Sequence, residues 1–189
     1  MSSEHPHLEE TQRRRKERRR RTWIGFAVMV SLIVAAMIAL ALNAGRWGVP
    51  MFGFTNEYGS KCRNDWLGHT CSELTVADVE RHLGVDIPEG ARLESGLWRQ
   101  THDYELTARL VYPQAEAEAG WKLLEERFGG CREGLPNPLN PVPGLSAHCL
   151  MSNEGTSATD GNPAPQIWRI ATATAPDGST VVDVFLRSR

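Results

Sequence analysis

The pattern of hydrophobic and polar positions separates one long apolar segment near the start of the chain from a mixed remainder. Residues 23–42 contain no charge over 20 positions, and Ser31 is the only strongly polar side chain among them. A helix of 20 residues is about 30 Å long, which matches the hydrocarbon core of a bilayer. Soluble domains rarely bury a helix that is apolar on every side. The pattern therefore predicts a transmembrane helix, with Trp23 and Trp47 near the two membrane–water interfaces.

Hydrophobic residues at helical spacing predict a short helix beyond this segment. Val76, Val79 and Leu83 lie three and four positions apart, so a helix places them on one face. Thr75 is a suitable N-cap residue, and Gly84 can end the helix in a left-handed conformation.

Alternation of apolar and polar residues then predicts a pair of strands. Apolar residues occupy every second position of 104–112, which is typical of a strand with one buried face. Residues 91–98 are predicted to form its partner strand, with the turn near 101–103. On this alternation Trp98 points away from Leu93.

A second helix and a second hairpin follow. The helix is predicted over 113–128, and the hairpin is predicted with strands at 167–174 and 181–186. The order αββαββ predicts a two-layer α+β domain, with a four-stranded antiparallel sheet and two helices on one face.

The predicted organisation has four parts. Residues 1–22 form a basic cytoplasmic head, residues 23–42 an uncleaved signal anchor and residues 43–61 a linker. Residues 62–189 form an extracytoplasmic, disulfide-bonded α+β domain. Within it, the small and polar residues of 152–165 are predicted to form a loop.

Charge is distributed unevenly between the two ends of the chain. The 189 residues carry a net charge of −2, but residues 1–22 carry +4 and the residues from Arg46 onward carry −6. The positive-inside rule therefore keeps the N-terminus in the cytoplasm and exports the C-terminal domain. A basic cluster is expected to contact anionic lipid headgroups, at about 1 kcal/mol per basic residue. It comprises Arg13, Arg14, Arg15, Lys16, Arg18, Arg19, Arg20 and Arg21.

Other interpretations of the N-terminal segment stay open. A cleaved signal peptide has an apolar core of about 7–15 residues. The present segment is longer, although Ala39-Leu40-Ala41 offers a cleavage site. Arg20-Arg21 is compatible with a twin-arginine export signal. Nucleic-acid binding by the arm is not favoured, because the arm lacks interleaved aromatic residues.

All four cysteines lie beyond the apolar segment, in the part predicted to be exported. An even number of cysteines in an oxidising compartment favours disulfides. We expect Cys62 to pair with Cys71 and Cys131 with Cys149, because these pairings close short local loops. Each disulfide is worth about 2–4 kcal/mol. The spacing differs from the closely spaced cysteine pairs of structural zinc sites.

Side chains that carry chemistry are present but form no recognised motif. The sequence contains no G-x-S-x-G, H-E-x-x-H, Walker or dinucleotide-binding pattern. The histidines beyond the head are expected to be exposed turn and loop residues, so neither a catalytic triad nor a metal or cofactor site is predicted. They are His69, His82, His102 and His148.

Two kinds of exposed feature are candidates for contact with a partner. Trp66 and Trp98 are candidate stacking platforms for a sugar. The proline loop, residues 135–144, is extended and loses little entropy on docking. We predict that it contacts a partner through Pro136, Pro138, Pro141 and Pro143.

The stretch HLGVDIPEGARLESGLWRQTHDYELTARLVYP (residues 82–113) resembles membrane-anchored or secreted proteins of actinobacteria, in which a G-x-x-(I/L)-P-x-G-A turn precedes a hairpin. The excess of arginine over lysine, 18 to 3, suits a GC-rich genome. The resemblance covers about a sixth of the chain. It implies an exported α+β domain and brings no functional residue with it.

These observations favour a non-enzymatic, single-pass membrane protein whose exterior domain binds a protein or a component of the cell envelope. An exported hydrolase that acts on the envelope is the first alternative, and it would need a pocket that gathers His102, His148 and carboxylates. The second is a membrane-tethered regulator that acts through its basic head. Its function would survive deletion of residues 46–189.

Overall fold

A computed structural model describes residues 6–155 and 166–188, with side chains from residue 14 onward. The chain divides into two compact units, Met1–Trp47 and Gly48–Arg189. The loop predicted at 152–165 lies mostly outside the described residues, which end at Gly155 on its N-terminal side.

The first unit is one long helix, α1, at Pro6–Asn43. It contains the predicted span 23–42 and continues without a break into the basic head. Its part from Arg14 to Asn43 is long and apolar enough to cross a membrane, and it is the only such helix in the part of the chain that the structure describes. None of the most apolar stretch of this helix is buried against protein.

The second unit is built on one antiparallel sheet, which has eight strands within the described residues. The order across the sheet is β1-β2-β3-β4-β5-β8-β7-β6. The strands are β1 Gly53–Thr55, β2 Lys61–Asn64, β3 His69–Glu73, β4 Arg92–Gln100, β5 Tyr104–Tyr112, β6 Ser146–Ser152, β7 Gln166–Thr174 and β8 Thr180–Ser188. The prediction of a four-stranded sheet is therefore wrong.

The missing strands flank the four that were predicted. β1, β2 and β3 have three to five residues each, too few for an alternating pattern to be recognised. The segment 43–61, predicted as a linker, contributes β1, and β6 follows the proline loop at the opposite edge.

The local signals of the central elements are confirmed. Helix α2 spans Val76–Leu83, with the Thr75 hydroxyl accepting from the Asp78 amide and with Gly84 at φ 64° as its C-cap. Helix α3 spans Gln114–Phe128 after Pro113. The β4–β5 and β7–β8 hairpins form with the expected turns.

The main core lies between one face of the sheet and helices α2 and α3. Val79 and Leu83 of α2 and Leu124 of α3 belong to the same buried cluster as the inward residues of β5 and β8. Across the four central strands, one row of cross-strand partners joins the two hairpins. This row is Trp98, Leu106, Leu186 and Trp168.

The proline loop covers part of the other face of the sheet. Leu139 is fully buried and packs with Leu150, Ala171 and Ala173. The buried Asn137 amide donates to the Cys149 carbonyl at 2.9 Å. The loop is therefore attached to the sheet through its leucine and asparagine side chains, while its prolines stay exposed.

A β-bulge changes the orientation of Trp98. The register of β4 shifts between Leu93 and Ser95, and an extra residue reverses the alternation beyond it. Leu93 then pairs with Leu110 and Trp98 with Leu106, both on the helix-covered face. Trp98 is buried in the core, so it is not available as a stacking platform, and the expectation that it points away from Leu93 is wrong.

Both predicted disulfides are present. Cys62 bonds with Cys71 across β2 and β3, and Cys131 bonds with Cys149 at the base of the proline loop. No free cysteine remains. The first disulfide is buried in the main core, beside Trp98, which is the cross-strand partner of Cys71.

Helix α3 approaches the sheet so closely at Gly120 that a side chain has no room. A Cβ atom there would lie 2.5 Å from the Tyr112 ring and 3.0 Å from Pro88. We expect Gly120→Ala to lower the free energy of unfolding by about 1–3 kcal/mol, despite the higher helix propensity of alanine. Chemical denaturation of the full chain in detergent micelles measures this change.

Gly130→Ala is the matched control, because a Cβ atom there would meet only a Glu125 oxygen at 4.0 Å. We expect a change within about 0.5 kcal/mol. Equal stability of the two variants would contradict the close packing of α3.

Candidate functional site

A cavity of about 520 Å³ lies between α2 and the β1, β3 and β4 strands. Its size falls within the range of small-molecule sites. Exposed residues such as Glu57, Arg81 and Gln100 form part of its lining, so the cavity is open to solvent. The lining comprises Phe54, Asn56, Glu57, His69, Asp78, Arg81, His82, Trp98 and Gln100.

Asp78 is the unusual residue of this cavity. It lies in the first turn of α2 and is only 1% exposed. Its Oδ2 atom accepts a hydrogen bond from Asn56 Nδ2 at 2.8 Å. Its Oδ1 atom is buried and has no hydrogen-bond donor among the described residues. A buried carboxylate oxygen without a donor costs free energy of folding.

The orientation of the Asn56 side chain is fixed by its own loop. Asn56 Oδ1 accepts from the backbone amides of Tyr58 at 3.1 Å and Ser60 at 2.9 Å. The amide nitrogen must therefore face Asp78. Thr75 ties the loop to the start of α2, since its hydroxyl donates to the Tyr58 carbonyl at 2.7 Å.

His82 lies one turn after Asp78 on the same helix. Its Nε2 atom is 3.6 Å from Asp78 Oδ1, too far for a hydrogen bond. The imidazole stacks on the Trp98 indole with 3.6 Å between centroids and 18° between planes, and Trp98 stacks in turn on Tyr104. Burial lowers the pKa of His82, although the charge of Asp78 opposes this.

His69 reaches the same cavity from β3. Its ring meets the ring of Phe54 edge-on, with 5.6 Å between centroids. Burial also lowers the pKa of His69, against the attraction of Asp78 and Asp65. Both imidazoles therefore favour the neutral form at pH 7 more than an exposed histidine does.

The charges at the rim of the cavity are mutually satisfied. The Arg81 guanidinium lies 3.5 Å from the Glu57 carboxylate and stacks over the Tyr58 ring at 4.7 Å. Within the lining, no cation is therefore paired with Asp78 when both histidines are neutral. The cavity is suited to a ligand that brings a positive charge and a hydrogen-bond donor.

A second cavity, of about 380 Å³, lies on the opposite face of the sheet. Arg109 donates to both carboxylate oxygens of Asp183 there, at 2.8 and 2.7 Å. Arg169 stacks over the Phe185 ring at 5.1 Å, and its Nε atom has no acceptor among the described residues. Because Arg169 is half-exposed, solvent reaches its guanidinium, and the case for a ligand is weaker here than at Asp78.

The structure separates the two histidines that the hydrolase alternative requires in one pocket. His102 is exposed in the β4–β5 turn, and His148 is exposed on β6 at the edge of the sheet. Three strands lie between β4 and β6, which corresponds to about 19 Å. The pocket required by the hydrolase alternative, with His102, His148 and carboxylates, does not form among the described residues.

The other predicted site residues lie in separate parts of the structure and do not form one site. The side chains of the basic cluster from Arg14 to Arg21 are exposed along α1, and that of Arg13 is not described. Trp23 and Trp47 are exposed near the two ends of the apolar segment. Pro136, Pro138, Pro141 and Pro143 are exposed on the proline loop.

Sequence reasoning missed the cavity because it treated His69 and His82 as exposed. Two signals point to them. Asp78 and His82 have the i,i+4 spacing that places two side chains on one helix face. His69 precedes the buried Cys71 by two positions, which puts both on the same face of a strand.

Comparison with protein-family models, with curated proteins and with solved structures finds no match to this chain. The function must therefore be inferred from the chemistry of the cavity and from the organisation of the chain.

The lowered pKa of His82 predicts a dependence of stability on pH. The unfolded histidine binds a proton below its ordinary pKa of 6.5, whereas the folded one, facing Asp78, Arg81 and His69, resists protonation. The free energy of unfolding should therefore fall as the pH is lowered from 7.5 towards 5.5. Chemical denaturation across this range measures the fall.

His82→Gln should make this fall smaller, because one of the two resisting histidines is removed. His102→Gln is the control, since it removes an exposed histidine of the β4–β5 turn, and it should leave the fall unchanged. An unchanged fall in His82→Gln would contradict the assignment.

Proposed function

We propose that the chain is a single-pass membrane protein whose C-terminal domain lies outside the cytoplasm and binds a partner that presents an ammonium group to the Asp78 cavity. The observation that carries the proposal concerns Asp78, a lining residue of the open cavity, whose Oδ1 atom is buried and has no donor among the described residues. The partner is a protein or a component of the cell envelope that carries a primary amine.

The membrane part of the proposal is supported by α1 and by the disulfides. An N-terminal helix of suitable length and composition, together with two disulfides, is typical of a membrane-anchored or secreted protein. The basic cluster before the apolar segment favours a cytoplasmic N-terminus. A length above that of a signal-peptide core favours an anchor that stays attached.

An ammonium group fits the cavity better than a metal ion does. No group of three or more histidine, cysteine, aspartate or glutamate side chains placed to hold a metal ion is found among the described residues, whereas a zinc site takes at least three such ligands. One ammonium group can donate to Asp78 Oδ1 and keep its remaining donors for neutral acceptors such as His69 and the Gln100 amide oxygen. A charge-assisted bond would also remove the cost of the unpaired oxygen.

Hydrolysis is the second candidate function, and one observation favours it. Burial holds His69 and His82 in the neutral form that accepts a proton at neutral pH, as a general base must. The lining of the cavity includes no serine, threonine or cysteine. A reaction there would have to use water as the nucleophile, and the geometry favours binding. The regulator alternative, which acts through the basic head, stays a prediction.

The binding proposal is tested by isothermal titration of the full chain in detergent micelles with 1,5-diaminopentane. We expect saturable binding, whereas glutarate, an anion of the same carbon number, should not bind. Asp78→Asn should weaken binding of the diamine about 10-fold or more, because a hydrogen bond to a charged group is worth about 1.5–3 kcal/mol. Asparagine keeps an oxygen for Asn56, so this variant should stay folded, as circular dichroism can verify.

Asp86→Asn is the matched control, since Asp86 is exposed in the loop after α2, and it should bind the diamine as the unchanged protein does. The proposal is wrong if the diamine does not bind, or if Asp78→Asn binds it with unchanged affinity.

A further inference from the structure

Exposed apolar side chains of the C-terminal domain are concentrated in one place. Five of them form what we term the apolar tip patch: Val49, Met51, Phe52, Trp66 and Leu67. Trp66 is 79% exposed and Leu67 is 69% exposed. Among the described residues beyond Trp47, Leu123 is the only other large apolar side chain that is exposed. A concentrated patch of this kind marks an interaction surface.

Backbone hydrogen bonds hold the two segments of the patch side by side. The Met51 amide donates to the Asn64 carbonyl at 2.9 Å, and the Asn64 amide donates to the Phe52 carbonyl at 3.0 Å. The Asp65 amide donates to the Gly68 carbonyl at 2.8 Å and closes the β2–β3 turn. Trp66 and Leu67 lie at the tip of this turn.

The turn is a fixed part of the sheet. A Cβ atom on Gly68 would clash with the carbonyl of Gln100, so the base of the turn lies directly against the end of β4. The Cys62–Cys71 disulfide joins the two strands that lead to it. The tip therefore presents its tryptophan and leucine without first having to be ordered, which lowers the entropic cost of docking.

Connectivity of the chain selects a lipid surface as the occupant. Val49 follows the last residue of α1, Asn43, by six positions, and six residues extend by at most about 20 Å. If α1 spans a bilayer, the patch cannot leave the neighbourhood of that bilayer. Tryptophan favours the membrane–water interface, and the neighbouring Leu67, Phe52 and Met51 favour its apolar side.

We propose that the apolar tip patch inserts into the interface of the bilayer that α1 crosses, and so docks the C-terminal domain on the membrane. The inference rests on the proposed membrane anchoring of α1, and it adds a second contact with lipid. A docked domain presents its Asp78 cavity at a limited height above the membrane, within reach of partners at the envelope surface.

The test uses the full chain in nanodiscs of phosphatidylcholine and phosphatidylglycerol, with a single nitroxide label on an introduced cysteine. The four native cysteines are paired in disulfides, so they do not compete for the label. Trp66→Cys and Leu67→Cys report on the patch. Because both side chains are exposed, replacing them should not disturb the packing of the core. Asp86→Cys is the exposed control, and Leu32→Cys reports on α1 itself. The measured quantity is the collision rate of the nitroxide with two paramagnetic agents. Frequent collision with oxygen shows that the label lies in lipid, and frequent collision with a water-soluble nickel chelate shows that it lies in solvent.

We expect the labels at positions 66 and 67 to collide more often with oxygen than with the nickel chelate, as the label at position 32 does. The label at position 86 should collide mainly with the nickel chelate. If the label at position 32 lies in lipid but the labels at positions 66 and 67 both collide with the nickel chelate, the docking proposal is wrong while the membrane anchoring of α1 is retained. If 32 itself collides with nickel, the anchoring of α1 is wrong and docking falls with it. Dipolar broadening between labels at 66 would show that a second copy covers the patch, which also overturns the proposal.

Discussion

The pairing of β5 with β8 joins the two halves of the C-terminal domain. Eight residue pairs, from Glu105 with Arg187 to Tyr112 with Thr180, connect strands that are separated in sequence by α3, the proline loop, β6 and β7. Such a contact must form against the entropy of closing a long loop. Once it forms, the inward residues of both hairpins share one core under α2 and α3. The Arg109–Asp183 ion pair crosses this pairing on the other face, with two hydrogen bonds of 2.8 and 2.7 Å.

The candidate site depends on this sheet for its geometry, and it also lowers the stability of the folded domain. β4 is held by β5 and carries Trp98, on which His82 stacks, and β3 is held by β4 and carries His69. These contacts fix both imidazoles around Asp78. The same packing buries a carboxylate oxygen that has no donor among the described residues, which is costly for the folded state. A fold that keeps such a group at an open cavity gains from a ligand that supplies the donor, and this is why we place the function there.

Sequence predicted the elements whose signals are local. Caps at Thr75 and Gly84 define α2, and long alternating runs define β5 and β8. The extra strands escaped because three to five residues cannot display a period of two, and because β1 to β3 are specified by pairing and by a disulfide rather than by hydrophobicity. The bulge in β4 depends on tertiary packing, so alternation placed Trp98 on the wrong face. The site escaped for the same reason, since His69 and His82 meet only after β3 pairs with β4 and α2 closes over both.

Location outside the cytoplasm is the central claim, since the disulfides need an oxidising compartment and the choice of an envelope partner depends on the side of the membrane. The direct measurement labels intact cells with a thiol reagent that cannot cross the membrane, with and without prior reduction, followed by mass spectrometry of the peptides. We expect Cys62, Cys71, Cys131 and Cys149 to be labelled only after reduction, on a chain that still contains residues 1–42. Thiols that are free and protected inside the cell would contradict the account, because the acidic domain would then be cytoplasmic and reduced.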